Sequence, residues 1–138
     1  LALNGLIGAG VPQDWATHMV GHELTALYDL DHAQTLAVVL PGMLRVRREG
    51  KHAKLLQYAA RVWGITSGSE DERIDAAITR TEAFFEQMGV KTRLSAYGHK
   101  ADVVDAVLAK LETHRMTKLG ERRDVTLEVS RKVLELAL

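Results

Sequence analysis

Apolar residues recur at intervals of three and four along most of this chain, and that period constrains the fold more than any other feature of the sequence. It is clearest after Ser69, where Ile74, Ala77, Ile78, Thr81, Phe84, Phe85 and Met88 share one helical face. Ser69 and Glu72 form a capping box at the start of that helix, and Gly89 stops it. An aromatic stripe at this spacing is expected to be core.

The same period predicts a helix over residues 12–27, with Pro12 in the first turn and Asp14 near the positive end of the dipole. A central helix opens at His32 behind the N-cap Asp31 and is nearly all apolar from Ala33 to Leu40, with Pro41 expected to kink or weaken it. Leu55, Leu56, Ala59, Val62 and Trp63 mark a third helix that ends at Gly64. Ala101, Val104, Val107, Leu108 and Leu111 mark another, and a last one, capped by Asp124 or Thr126, carries Leu127, Val133, Leu134 and Ala137. Residues 90–100 read as a connector in which Leu94 and Tyr97 dock and His99 faces solvent. Residues 116–121 read as a loop, and residues 1–9 as the tail of a helix stopped by Gly8 and Gly10. No stretch alternates as a strand would, and no glycine-rich phosphate loop follows one. The expected fold is an all-α helical bundle.

At 138 residues the chain is sized for one domain with a real core. It has no cysteine, which excludes disulfides, thiolate metal sites and cysteine nucleophiles. Lys plus Arg balances Asp plus Glu at 18 each, so no overall field draws nucleic acid or an anionic membrane. Arg45, Arg47 and Arg48 read as a solvated helix end, and Lys118, Arg122 and Arg123 as a solvated loop. No apolar run approaches a membrane span and no signal-peptide pattern opens the chain, so a soluble, cytoplasmic protein is expected. The first eleven residues carry no charge and begin with Leu1. Such a segment is expected to be buried, and to begin inside an element whose partner is missing. Apolar area left without that partner would favour a homo-oligomer.

Chemistry concentrates in residues 14–32, which hold three of the six histidines. His18 and His22 are one helical turn apart on one face, and Asp14 lies one turn before them. Two imidazoles so placed can hold one ion from the same side, but zinc or iron needs at least three protein ligands. The row could serve a self-contained hydrolytic site, or these could be half-buried interface histidines. The metalloprotease pattern is absent, because Ala26 stands where the second histidine would be. Gly21, inside the helix, costs about 1 kcal/mol relative to alanine and is tolerable if something approaches the backbone closely between the two histidines.

The stretch from Gly10 to Pro41, through His18, His22 and His32, resembles the second signature of the iron-containing, group III alcohol dehydrogenases. The likeness is to the NADPH-dependent butanol dehydrogenase and aldehyde reductase branch. It continues through Lys54-Leu-Leu-Gln-Tyr-Ala, Val62-Trp63, Asp71-Glu-Arg-Ile-Asp-Ala-Ala-Ile and Phe84-Phe-Glu-Gln, so it covers essentially the whole chain. The resemblance implies an N-terminal cofactor domain binding NADP(H), and a helical C-terminal domain holding one divalent metal, Fe2+ or Zn2+, through an aspartate and three histidines. It places the last two ligands on His18 and His32, fourteen positions apart, and gives His22 a proton-handling or substrate-orienting role.

Many members have Pro-His-Gly at the second of these ligands and His-Pro-Leu-Gly after the first. Here Asp31-His32-Ala33 and His22-Glu-Leu-Thr25 stand in those places, which fits the aldehyde reductase branch. The implied reading is that residues 1–138 are roughly the last third of such an enzyme. The cofactor domain and first two ligands would then lie upstream, and the 138 residues alone would be inactive towards aldehydes and alcohols. The alternative is a freestanding helical bundle with a structural or partner-binding role, docking through residues 1–11.

Overall fold

The computed structural model describes residues 5, 6 and 8–138. Six α-helices follow in order: α1 (Ala16–Tyr28), α2 (His32–Val46), α3 (His52–Trp63), α4 (Glu70–Gln87), α5 (Asp102–Thr113) and α6 (Leu127–Glu135). A 3-10 turn, Leu94–Tyr97, lies before α5, and two short strands, β1 (Lys118–Leu119) and β2 (Val125–Thr126), pair antiparallel before α6. The all-α helical fold is as expected, and the two short strands are a local addition within it. Two residues are too few to show alternation in a sequence, and their pairing serves mainly to close the loop.

α2 is the axis of the fold. Val38, Val39 and Met43 pack with Val20 and Leu24 of α1, Val103, Val107 and Leu111 of α5, and Val133 and Leu134 of α6 to form the main core. The central placement follows from its nearly all-apolar surface, which needs cover on most sides. Pro41 lies inside α2, and the helix runs on past it to Val46. The next residue, Gly42, matters more for packing. A Cβ there would stand 2.7 Å from the Val133 carbonyl oxygen, so α2 and α6 touch backbone to backbone. A smaller cluster of Leu55, Ile74 and Ile78 joins α3 to α4, with Leu44 of α2 against it.

Several expectations change in the structure. α1 starts at Ala16 rather than in the Pro12 turn, because the Asp14 carboxylate accepts from the Ala16 backbone N–H at 2.9 Å and holds residues 12–15 outside the helix. The arginines at the end of α2 are not free in solvent. Arg45 pairs with Glu82 at 2.6 Å, Arg47 with Asp124 at 2.6 Å, and Arg48 with Asp71 and Asp75 at 3.0 Å each, tying the helix end to α4 and to the strand turn. His99 is half-buried against Tyr28, with ring centres 4.6 Å apart. Phe84 and Met88 are 45% and 58% exposed, because α4 outruns the core that covers its first half.

The expected helix tail at residues 1–9 falls partly on residues 1–4 and 7, outside the described residues. Gly5, Leu6 and Gly8 to Val11 form successive turns, and Leu6 and Val11 are exposed rather than buried.

Candidate functional site

The site begins where α1 and α2 cross. Gly21 has no side chain, and a Cβ there would lie 3.0 Å from Thr35 Oγ1 and 3.2 Å from Thr35 Cβ. Thr35 is fully buried on that bare stretch of α1, and its hydroxyl donates to the His32 carbonyl at 2.9 Å. The close approach that would justify a mid-helix glycine is therefore made by the helix carrying the third histidine.

The connector completes the placement. Asp29 takes the left-handed conformation at φ 55° and ends α1, and Thr25 Oγ1 donates to the Leu30 carbonyl at 2.9 Å. The Asp31 N–H is accepted by Gln34 Oε1 at 3.0 Å, which opens α2 with His32 as its first residue. The chain thus turns back on itself within three residues and lays His32 over the middle of α1.

Three imidazoles meet there. Ring centres of His18 and His32 are 5.3 Å apart, those of His22 and His32 5.7 Å, and those of His18 and His22 6.2 Å. His18 is half-buried, whereas His22 and His32 are exposed. Burial, helped by the neighbouring His32 and His22 rings, holds His18 below the ordinary imidazole value of 6.5. It is therefore neutral at pH 7, the form that offers a lone pair to a metal.

With zinc to nitrogen at about 2.0–2.1 Å and the ring centre about 1.2 Å beyond, two imidazoles on one tetrahedral ion have centres about 5 Å apart. The His18 and His32 separation fits that geometry most closely of the three pairs. Among the described residues, no group of three or more His or acidic side chains could hold a metal ion by itself. The chain thus offers part of a donor set.

Asp14 does not join the row. Besides the Ala16 N–H, its carboxylate meets Lys51 Nζ at 2.9 Å, and Lys51 also reaches Glu121 at 3.1 Å. This rules out a hydrolytic site of Asp14, His18 and His22. Lys51 is 37 positions from Asp14 and 70 from Glu121, so no local period could have revealed the link.

Glu23 was also not visible as a structural residue. Next to exposed His22, it is only 4% exposed, and its Oε1 accepts from His114 Nδ1 at 2.7 Å, clamping α1 to the end of α5. The signal for Thr35 was Gly21 itself. For Glu23, a charged residue in the apolar half of α1 was the only hint.

The family model described as "Fe-containing alcohol dehydrogenase family, C-terminal" matches residues 3–136. The chain is 66% identical over 136 residues to the NADPH-dependent aldehyde reductase YqhD of Escherichia coli (strain K12), covering 99% of this chain and 35% of that protein. It is 38% identical over 112 residues to NADP-dependent alcohol dehydrogenase 3 of Entamoeba histolytica, covering 81% of this chain and 28% of the relative. The solved substrate- and cofactor-free form of the E. coli aldehyde reductase superposes with a TM-score of 0.92 at 65% identity, covering 96% of this chain and 35% of that one. The chain thus spans about a third of the length of the relatives it matches. Sequence and fold agree: the chain belongs to the iron-containing alcohol dehydrogenase family and corresponds to its C-terminal part.

Proposed function

We propose that these 138 residues form the metal-holding C-terminal domain of an enzyme that interconverts aldehydes and primary alcohols with NADPH and NADP. The metal ligands supplied here are His18 and His32. The remaining ligands and the dinucleotide-binding domain belong to a part of the enzyme outside this sequence, as the one-third coverage of the relatives suggests. The observation that carries this reading is the meeting of the His18 and His32 rings at 5.3 Å in a chain of this family. When bound, a divalent ion, Fe2+ or Zn2+, supplies a Lewis acid to the carbonyl oxygen of the aldehyde, and the nicotinamide supplies the hydride.

The chain's own residues do the rest. His18 and His32 present ring nitrogens from two different helices, so their spacing is fixed by the packing of Thr35 on Gly21. His22 lies beside both and is open to solvent, so it can pass a proton to the substrate oxygen directly or through one water. No residue of this chain is assigned to the dinucleotide. A homo-oligomer is part of the proposal, its basis the exposed apolar side chains of Leu6, Val11 and Trp15.

The test is an assay of NADPH oxidation with butyraldehyde in the longer protein encoded around this sequence. His18→Ala and His32→Ala are expected to lose both metal and turnover. His22→Ala is expected to keep the metal and to lose about a hundredfold in turnover. The 138 residues alone are expected to oxidise no NADPH. Measurable turnover by them, or a His32→Ala enzyme with full metal content, would contradict the assignment.

A further inference from the structure

Trp15 has no part in the reading above. It is the N-cap residue of α1, it is 49% exposed, and its indole meets the His18 ring edge to face, with centres 5.2 Å apart and planes at 72°. The polar end of the indole is already satisfied, since Nε1 donates to Gln13 Oε1 at 2.9 Å. Gln13 in turn lies where a side chain on residue 8 would have to be. A Cβ on Gly8 would fall 1.7 Å from Gln13 Nε2, so the amide occupies space that only glycine leaves open. A short relay runs from Gly8 through Gln13 and Trp15 to His18. Its last contact falls on the one imidazole of the three that is half-buried. His22 and His32 have no comparable aromatic neighbour among the described residues beyond each other and His18.

We propose that Trp15 is a positioning residue for His18: the indole, held by Gln13, fixes the imidazole plane so that its free nitrogen points toward His32. The inference rests on the reading of His18 and His32 as a metal pair and adds to it the group that aims one member. A residue that only fills surface would not need its N–H anchored two residues back. An unbraced His18 would sample other side-chain rotamers, and holding it in the ligating one would cost part of the binding free energy of the ion.

The test uses the longer protein encoded around this sequence, unaltered and as Trp15→Ala, Trp15→Phe and His18→Ala, with two readouts. The first is proton NMR without metal. The unaltered chain is expected to show nuclear Overhauser contacts between the indole and the His18 ring, and a ring-current shift of the His18 protons that disappears in Trp15→Ala while His114 stays unmoved. Absence of that contact overturns the inference. The second is a Co2+ titration followed by paramagnetic shifts of His18 and His32. Trp15→Ala is expected to weaken cobalt binding about three- to tenfold, and Trp15→Phe to restore it to within about twofold, in line with one aromatic contact. Unchanged affinity in Trp15→Ala, with binding lost in His18→Ala, overturns the positioning role and leaves the metal pair standing. Cobalt that perturbs neither His18 nor His32 in the unaltered longer protein overturns the metal pair itself and this inference with it.

Discussion

The crossing of α1 and α2 and the hairpin of α3 and α4 carry similar helical apolar patterns, yet they bury their side chains very differently. At the crossing, Val20 and Leu24 meet Val38 and Val39, all of them 0 or 1% exposed, and two glycines let neighbouring elements touch the helix backbones. In the hairpin the large apolar side chains enclosed are Leu55, Ile74 and Ile78, beside the small Ala59 and Ala77, and the outer ends carry a ledge of Val62, Trp63, Phe84 and Met88. Trp63 and Phe84 stack edge to face at 6.2 Å on that ledge, and the Trp63 Nε1 is buried with no hydrogen-bond partner among the described residues. The tightly packed region is the one that holds the three imidazoles. On the proposed reading, the donor atoms sit on the more tightly packed part of the fold, while the hairpin is joined to α2 by Leu44 and by the ion pairs of Arg45 and Arg48.

This contrast can be broken by substitution. Leu24→Ala empties space at the centre of the main core, and should cost about 3–5 kcal/mol in chemical denaturation. A loss under about 1 kcal/mol would show that the crossing is no better packed than the hairpin. Gly42→Ala comes next. The gain in helix propensity is about 1 kcal/mol, but the new methyl would sit 2.7 Å from a backbone oxygen that cannot swing away. A net destabilisation of about 1–3 kcal/mol is expected, and a stabilised variant would mean that α6 yields freely.

The Asp14, Lys51 and Glu121 link sharpens the comparison through pH. Burial pushes the Asp14 carboxyl up, but hydrogen bonds from Lys51 and the Ala16 N–H outweigh it and leave it below its ordinary 3.8. Lys51 is opposed by burial too, and its carboxylate partners raise it above its ordinary 10.5. A depressed carboxyl contributes stability that is present above pH 3.8 and lost as the pH falls through the lower folded value. A raised amine contributes stability that is present below pH 10.5 and lost as the pH rises through the higher folded value. Thermal melts of the unaltered chain should therefore lose ground at both extremes, and Lys51→Met should flatten both flanks. Equal pH profiles would remove the link from the energetics.

The smallest effect is expected on the ledge. Phe84→Ser should change stability by no more than about 0.5 kcal/mol, since nearly half of the side chain is already in solvent. A loss above about 2 kcal/mol would place Phe84 in the core, where its spacing in the sequence suggested it belonged.

That spacing shows what a sequence can and cannot reveal. Periodicity and caps located α2, α3, α4 and α5 because those signals are local. The Ser69 and Glu72 box is realised as read, with Ser69 N–H donating to Glu72 Oε2 at 2.8 Å. Periodicity says which residues share a face, but not how long the neighbouring element is, so Phe84 and Met88 looked the same as Ile74 and Ile78. Helix α1 began late because the Asp14 carboxylate takes up the Ala16 N–H two residues on instead of entering the first turn, and the arginines at the end of α2 found partners from 23 to 77 positions away. Of the site, the placement of His18 and His22 on one helical turn was visible from spacing. The approach of His32 was not: it came from likeness to a family, with Gly21 as the only local physical sign. Thr35, which makes that approach, carries no signature of its own.

The central claim is that two imidazoles on different helices share one divalent ion. Crystals of the longer protein encoded around this sequence, grown with zinc and measured across the zinc absorption edge, test it most directly. One anomalous peak is expected between His18 and His32, about 2.0–2.1 Å from a nitrogen of each, with the His22 ring outside coordination distance. A peak on His22 without His32, or full-occupancy zinc elsewhere with none between these two rings, would contradict it.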